Sequence, residues 1–292
     1  MPPRDDEERR LSARLQTLIG AGSLSGLASL REEAAGRLGT GHEVVLAVEH
    51  ALELRRDCGR TPMESLPIWL ELRERSATSL PPDSGTAVAI RARCRRQLLG
   101  CGRPGDLDEL VELCRRETDP DARIDLALAL RDRARFDDST VDLPGALAVA
   151  AEEVRRRGTD HVAVTAARRA QIEVLLALGR TEPDSAAQAR ELAAEMVDDP
   201  DGEMPGSRAL LAEALLLTGR TVEAGRVARL AYALDAGTFD PARPLLVVAR
   251  TEAAIQARAT AQEALRQRQA FFPPESHYVV EARRLVEELF HC

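Results

Sequence analysis

The sequence predicts an all-α protein of about seven stacked helical hairpins followed by one final helix. Alanine, leucine, arginine and glutamate, which all favour helices, supply 155 of the 292 residues. Aromatic residues make up only 3% of the chain, so a β-sandwich or a large parallel sheet is disfavoured. A turn signal, Gly-Arg, also recurs between apolar helical segments.

Clusters of Pro, Gly, Asp and Ser separate the apolar segments and set the predicted helix boundaries. Asp or Ser there caps free backbone N–H groups, and Pro fits the first helical turn. Within the segments, apolar residues recur at three- and four-residue spacing, as at Leu211, Leu215 and Ala214. The predicted helices span residues 6–20, 23–38, 41–57, 62–78, 84–100, 105–117, 120–135, 142–157, 160–178, 184–197, 204–218, 221–235, 241–257, 260–271 and 275–290.

The Gly-Arg dipeptide marks a repeat of about forty residues. It occurs at 59–60, 102–103, 179–180 and 219–220, so the intervals are 43, 77 and 40 residues. The middle interval corresponds to roughly two units. Each unit is therefore predicted to be a helical hairpin followed by a polar linker.

The last units resemble tetratricopeptide repeats of the longer kind found in kinesin light chains and bacterial signalling proteins. That family has a small residue seven positions before the turn glycine, as Ala212 is before Gly219. It has alanines five and twelve positions after that glycine, as Ala224 and Ala231 are. Ala264 matches the first of these in the next unit.

The resemblance covers about residues 140–290 and implies a right-handed superhelix, an α-solenoid whose first helices line a concave groove. We therefore expect divergent helical repeats at 1–140 and tetratricopeptide-like repeats at 141–292, with a capping helix at 275–290. The apolar face of that helix is expected to cap the stack or to form a homodimer. Its exposed candidates are Tyr278, Leu285, Leu289 and Phe290.

Net charge and hydropathy restrict the partners. The formal net charge of -8 and the isoelectric point near 5.4 disfavour nucleic acid, because phosphate binding depends on positive charge. No stretch approaches 18 uncharged apolar residues, and the N-terminus lacks the apolar run of a signal peptide. A cytoplasmic location without membrane contact is predicted.

All 40 basic residues are arginine, and the chain contains neither lysine nor asparagine. The absence of lysine excludes Schiff-base, phosphate-loop and kinase-type lysine chemistry. Codon bias in a high-GC bacterium is the favoured explanation. The alternative is that the protein avoids a reagent or a degradation tag that attacks amines.

No catalytic residue, metal ligand or cofactor is predicted. His277 and Glu281 share a helix face, but they supply only two of the three or four ligands that zinc needs. The acidic run at 198–203 has Ala209 where a calcium loop needs glutamate. The cysteines form no Cys-x-x-Cys pair, and most are interpreted as packed helix residues.

Arginines on the predicted first helices are the candidate ligand contacts, because those helices line the groove. Guanidinium groups bind carboxylate and phosphate, which suits an acidic peptide or protein. The candidates are Arg91, Arg95, Arg123, Arg168, Arg169, Arg208 and Arg250. For the basic stretch 91–103, a solvated face paired with nearby acids is the favoured alternative.

The favoured function is a non-enzymatic scaffold that binds a peptide or partner protein in its groove, in a regulatory or assembly role. One alternative is a regulatory protein that senses a small effector or signalling peptide. Another is an enzyme of a specialised biosynthetic pathway on the same solenoid. The discriminating feature is whether the groove holds a deep pocket with converging Arg and Glu or an open trough of small residues.

Overall fold

The computed structural model describes residues 4–117, 119–137, 140–158, 161–199, 206–234 and 240–291. Within these ranges the chain forms fifteen α-helices, one 3₁₀ turn at Asp57–Gly59 and no β-strand. The helices are α1 (Arg4–Ala21), α2 (Leu24–Leu38), α3 (Glu43–Arg56), α4 (Pro62–Ser79), α5 (Gly85–Cys101), α6 (Pro104–Arg116), α7 (Pro120–Asp137), α8 (Leu143–Arg157), α9 (His161–Leu178), α10 (Pro183–Asp198), α11 (Ser207–Leu217), α12 (Thr221–Leu234), α13 (Arg243–Thr251), α14 (Ala254–Phe271) and α15 (His277–His291). Every helix in the described ranges is too short or too polar to span a lipid bilayer.

The observed helices follow the predicted ones in order, and the largest error lies between α13 and α14. The sequence predicts helices at 241–257 and 260–271, but α13 ends at Thr251 and α14 already begins at Ala254. Glu252 and Ala253 have extended backbone, with ψ of 163° and 150°. The break contains neither Gly nor Pro, so no local signal marks it.

The early start of α14 allows a second alignment of the repeat. Ala257 is the fourth residue of α14, as Ala224 is the fourth residue of α12, and both are buried. The sequence alignment instead matched Ala224 with Ala264. The two helix starts, Thr221 and Ala254, are 33 residues apart. Because Ala264 is also buried, the forty-residue match stays a prediction.

The chain divides into two compact units, Met1–Gly100 and Cys101–Cys292. The sequence predicts a different division, after residue 140, between divergent repeats and tetratricopeptide-like repeats. That division separates two types of repeat and not two compact units, and it stays a prediction. Each unit has its own hydrophobic core and its own network of buried charges.

Asp57 holds the N-terminal unit together through buried hydrogen bonds. Its carboxylate accepts from Ser65 Oγ at 2.7 Å and from Trp69 Nε1 at 2.8 Å, both on α4. It also accepts from Arg93 Nη2 at 2.7 Å and from Gln97 Nε2 at 3.1 Å, both on α5. One carboxylate in the 3₁₀ turn therefore joins two helices.

Replacing Asp57 by asparagine is expected to destabilise the N-terminal unit by about 3 kcal/mol, because Arg93 then loses its charged partner in a largely buried site. Trp69 is the only tryptophan of the chain, so its fluorescence during urea unfolding reports this unit. Asp83→Asn, at an exposed position, is the matched control and is expected to change stability by less than about 0.5 kcal/mol. Equal midpoints for Asp57→Asn and the wild type would contradict this role of Asp57.

In the C-terminal unit, each helix from α6 to α15 packs against the next one in sequence. The helices α7, α9, α11 and α13 also pack against one another in that order, and we call these four the inner row. The intervening helices present buried alanines, which permit close helix approach. Examples are Ala146 and Ala150 of α8, Ala186 and Ala193 of α10, and Ala228 and Ala231 of α12.

The last helix, α15, returns to the start of the C-terminal unit. It packs on α14 and also contacts α7. The backbone N–H of His277 donates to the carbonyl oxygen of Gly102 at 3.1 Å. Gly102 has a φ of +60°, and a Cβ there would lie 2.8 Å from His277 Nδ1, so this contact requires glycine.

The apolar face of α15 is mostly covered within the chain, contrary to the expectation that it is exposed. Tyr278 is buried because it packs against Phe272. Leu285 is buried in the core between α13, α14 and α15. Leu289 is partly buried, whereas Phe290 is 49% exposed. A homodimer through this helix stays a prediction, with Phe290 as its most exposed apolar side chain on α15.

Candidate anion-binding cavity

The C-terminal unit contains a cavity of about 570 Å³ that is lined by the inner row, α12, α14 and α15. Seven arginines and four acidic residues contribute to its wall. They are Arg131, Arg135, Arg169, Arg180, Arg243, Arg250 and Arg268, with Glu173, Glu213, Asp240 and Glu281. With every acid ionised, seven positive and four negative charges leave an excess of three positive charges.

Alternating charges connect the four helices of the inner row. Glu173 of α9 accepts hydrogen bonds from Arg131 of α7 and from Arg243 Nη1 of α13, the latter at 2.7 Å. Arg243 Nη2 also donates to Glu213 of α11 at 2.7 Å. Burial alone would raise the pKa of Glu173, but Arg131 and Arg243 outweigh it and hold that pKa well below its ordinary value.

Glu281 brings α15 into the same network. It accepts hydrogen bonds from Arg180 Nη2 at 2.8 Å and from Arg268 Nη1 at 3.0 Å. Burial would raise the pKa of Glu281, yet four guanidinium groups hold it well below its ordinary value, so this carboxylate is ionised. The four belong to Arg135, Arg268, Arg180 and Arg250.

Arg268 of α14 uses its donors inside the protein. Besides Glu281, it donates from Nη2 to Asp240 Oδ2 at 2.5 Å and from Nη1 to the carbonyl oxygen of Tyr278 at 2.7 Å. Its side chain is 2% exposed. Arg268 therefore positions α15 and the residues before α13.

Two arginines of the wall, unlike Arg268, are not held by carboxylates of the described residues. Arg135 of α7 and Arg250 of α13 form no hydrogen bond or ion pair with another residue in the described ranges, although both act electrostatically on Glu281. The Nε atom of Arg135 is buried without an acceptor, which is costly for a charged group. Arg135 is half-buried and Arg250 is exposed, so both guanidinium groups can donate to an external anion.

Another part of the wall is apolar. It is formed by side chains of α11, α12 and α13, including Leu216, Leu217, Ala231, Leu246 and Val247. Tyr232, which is 45% exposed, also contributes to the wall. A ligand that joins anionic groups to an apolar body matches both parts.

Two of the predicted contact arginines, Arg169 and Arg250, line the cavity. Burial lowers the pKa of Arg169, and Glu173 partly offsets that effect. Arg168 is exposed on α9, and Arg208 is half-buried near the start of α11; neither is among the lining residues.

The other three predicted arginines are not among the residues that line the cavity. Arg123 pairs through Nε with Glu153 Oε1 at 2.8 Å. In the N-terminal unit, Arg91 donates to the carbonyl oxygen of Pro82 at 2.7 Å, and Arg95 is fully buried. Ligand contact by these three residues stays a prediction.

The residues that sequence reasoning missed include all four acids of the wall. A signal for two of them exists in the repeat. Glu173 lies six residues before Gly179, and Glu213 lies six residues before Gly219, so they share one repeat register. Both side chains reach the cavity, and both bind Arg243.

Next to the cavity, α15 meets α7 in a buried polar contact that we call the seam, formed by Arg131, Asp132, Arg135, Phe136 and His277. His277 Nε2 and Arg131 Nε lie 3.3 Å and 2.6 Å from the same Asp132 oxygen. Asp132 is thus ion-paired with Arg131, although within the described residues neither its oxygens nor the ring nitrogens of His277 meet hydrogen-bond geometry. Burial lowers the pKa of His277 to about 3, so its imidazole is neutral near pH 7.

The side chains considered as metal ligands or nucleophiles, His277, Glu281 and Cys101, have other surroundings in the described part of the chain. No three His, Cys, Asp or Glu side chains there lie close enough to hold a metal ion. His277 belongs to the seam, whereas Glu281 is bound by arginines. Cys101 is buried, and burial raises the pKa of its thiol to about 12, so it is not a thiolate near pH 7.

Comparison of the chain with sequence models of known protein families found no match, and comparison with curated proteins found none either. The function therefore has to be inferred from the charge and geometry of the cavity.

Proposed function

We propose that this protein is an effector-sensing regulatory protein whose C-terminal unit binds a small molecule with at least two negative charges and an apolar body. The observation that carries this proposal is the pair Arg135 and Arg250, which have no ion-pair partner among the described residues and belong to a wall of net positive charge. An anion would gain charge-assisted hydrogen bonds from them without breaking the existing ion pairs.

The cavity supports this function over the peptide-binding scaffold. A scaffold groove would be an open trough of small residues, whereas this wall brings arginines and glutamates together around a partly open cavity. A volume of about 570 Å³ lies within the range of roughly 300–1,000 Å³ that is usual for small-molecule sites.

The wall also supports binding over catalysis. The pKa values of Glu173, Glu213 and Glu281 are all held below their ordinary range by arginines that outweigh the effect of burial. These carboxylates are ionised near pH 7 and are poor general acids. Burial raises the pKa of Tyr278 well above its ordinary value, so it is not a base there.

For the fold, we propose a tetratricopeptide-like right-handed superhelix in the C-terminal unit. The sequential packing of α6 to α15, the contacts within the inner row and the buried alanines of the intervening helices support it. A cytoplasmic regulatory role fits this proposal. In place of the acidic peptide or protein expected from the sequence, we propose a small anion as the partner.

Pyranine, the fluorescent aromatic trianion 8-hydroxypyrene-1,3,6-trisulfonate, combines the charge and the apolar body that the cavity fits. We expect pyranine to bind the wild type, and we expect Arg135→Gln/Arg250→Gln to lower its affinity by about 100-fold, because two charge-assisted hydrogen bonds are lost. Fluorescence anisotropy titration at fixed ionic strength measures both affinities.

The double variant Arg155→Gln/Arg266→Gln is the matched control. It removes the same two charges from side chains that are 74% and 70% exposed outside the cavity. We expect it to change the affinity for pyranine less than threefold, since exposed charges are largely screened. An equal loss in both double variants would mean nonspecific attraction and would refute the proposed site.

A further inference from the structure

We infer that the ligand of this cavity locks α15 onto α7, so that the C-terminal helix is the element through which the protein responds to its ligand. This inference rests on the proposed anion site. It adds the mechanism by which binding at that site changes the protein.

The seam between α7 and α15 is poorly satisfied in hydrogen bonds. Six buried polar side-chain atoms of the seam meet no hydrogen-bond geometry with another described residue. They are Arg131 Nε, Asp132 Oδ1 and Oδ2, Arg135 Nε, and His277 Nδ1 and Nε2. Arg131 Nε and His277 Nε2 still lie 2.6 Å and 3.3 Å from Asp132 Oδ1. Asp132 Oδ2, Arg135 Nε and His277 Nδ1 have no such contact among the described residues. Buried polar atoms of this kind favour an alternative state in which water reaches them, so the seam is a weak point of the C-terminal unit.

Beside the seam, Glu281 is the carboxylate through which α15 binds the arginines of the cavity. Glu281 binds Arg180 and Arg268, while Arg135 and Arg250 face it without forming ion pairs. Arg268 also binds Asp240, and Arg180 lies 4.0 Å from Glu213. Arg135 and Arg250 have no ion-pair partner among the described residues, so their positive charges near Glu281 are not fully compensated. An added anion would compensate these charges and strengthen the closed arrangement.

Arg135 belongs to both the anion site and the seam. It is a wall residue of the cavity, and its unpaired Nε is one of the six atoms of the seam. An anion bound to both Arg135 and Arg250 would connect α7 and α13, the first and last helices of the inner row. Its negative charge would also hold both arginines close to Glu281 on α15. The closed state would therefore bind the anion more tightly than the open state, which is the condition for coupling.

Amide hydrogen exchange of the full-length protein tests this coupling. At a pyranine concentration of about 100 times Kd, exchange within α15 is expected to slow by up to about 100-fold. The internal reference is α10, which does not line the cavity and is expected to slow less. Equal slowing of α10 and α15, or no change in α15, would overturn the inference.

Reciprocity provides a second test that does not alter the anion site. Val279→Ala weakens the packing of α15 at a fully buried side chain, so pyranine affinity is expected to fall by about three- to tenfold. Met196→Ala removes a buried side chain from α10 and is expected to leave the affinity unchanged. Equal affinities for Val279→Ala and the wild type would contradict the coupling.

Failure of this inference can be told apart from failure of the proposed function. If pyranine binding is lost in Arg135→Gln/Arg250→Gln but α15 does not respond, the anion site stands and the lock is wrong. If the wild type does not bind pyranine, or the double variant binds it equally well, the site and the lock are both wrong.

Discussion

A variant in which glutamine replaces Glu173 is expected to have a C-terminal unit about 4 kcal/mol less stable than that of the wild type. Glu173 lies between Arg131 and Arg243, and the side chains of all three are at most 16% exposed. Glutamine keeps the shape but removes the charge, which leaves two buried guanidinium groups without their shared carboxylate. Breaking a buried ion pair from one side typically costs about 3–5 kcal/mol.

Urea unfolding followed by far-UV circular dichroism measures this loss, and Trp69 fluorescence reports the N-terminal unit separately. Glu195→Gln, at an exposed position on α10, is the matched control and is expected to change stability by less than about 0.5 kcal/mol. In an Arg243→Gln background the loss from Glu173→Gln should shrink, because the two residues form one network. A loss below about 1 kcal/mol in the wild-type background would contradict the structural role of Glu173.

The C-terminal unit is also expected to lose about 2 kcal/mol of stability as the pH falls from about 6.5 to about 5. The pKa of His277 is 6.5 in an unfolded chain but about 3 in the fold, because burial outweighs its charged neighbours. Between these two values the unfolded chain binds a proton that the folded chain does not bind. Acid therefore favours unfolding, by about 1.4 kcal/mol for each pH unit.

Charged groups from two helices surround the imidazole of His277. Asp132 of α7 and Glu281 of α15 favour its protonated form, whereas Arg131 and Arg135 of α7 oppose it. Burial is the largest effect, so these contributions do not restore an ordinary pKa. Protonation would place an additional positive charge beside two arginines in the seam.

Unfolding curves recorded from about pH 7 to about pH 5 test this prediction, with His277→Gln as the comparison. The slope of unfolding free energy against pH should be smaller in the variant, whatever its absolute stability. His50 in the N-terminal unit also has a lowered pKa, chiefly because of burial. The pH dependence of that unit is measured separately by the fluorescence of Trp69, which His50 contacts. Parallel slopes for the two proteins would show that His277 is not the titrating group.

The secondary structure was largely predictable from the sequence, and the exception shows the limit of local signals. Most linkers contain Pro, Gly or Asp, and the observed helices begin and end near them. The break at Glu252 and Ala253 has no such residue, and α14 starts where Ala257, Ala261 and Ala264 can be buried together. Packing against neighbouring helices decided that boundary, so residues close in sequence could not reveal it.

The candidate site was predictable only in part. Arg169 and Arg250 were identified because the repeat places first helices at the groove, and both line the cavity. Arg268 was missed because it lies on a second helix, and Arg180 because it lies in a turn. Residue type could not show which arginines already have partners, since that depends on which carboxylates reach them.

The sequence by itself determined that this protein is helical and where most of its helices lie, because helix formation and capping depend on residues only a few positions apart. The tertiary structure decided which arginines are neutralised and which remain available. The partners are distant in sequence: Glu173 and Arg243 are 70 positions apart, and Arg180 and Glu281 are 101 positions apart. Electrostatic pairing depends on distance in space. Arginines occur throughout the chain, but only the fold, including the return of α15 to α7, places seven of them with four acids around one cavity.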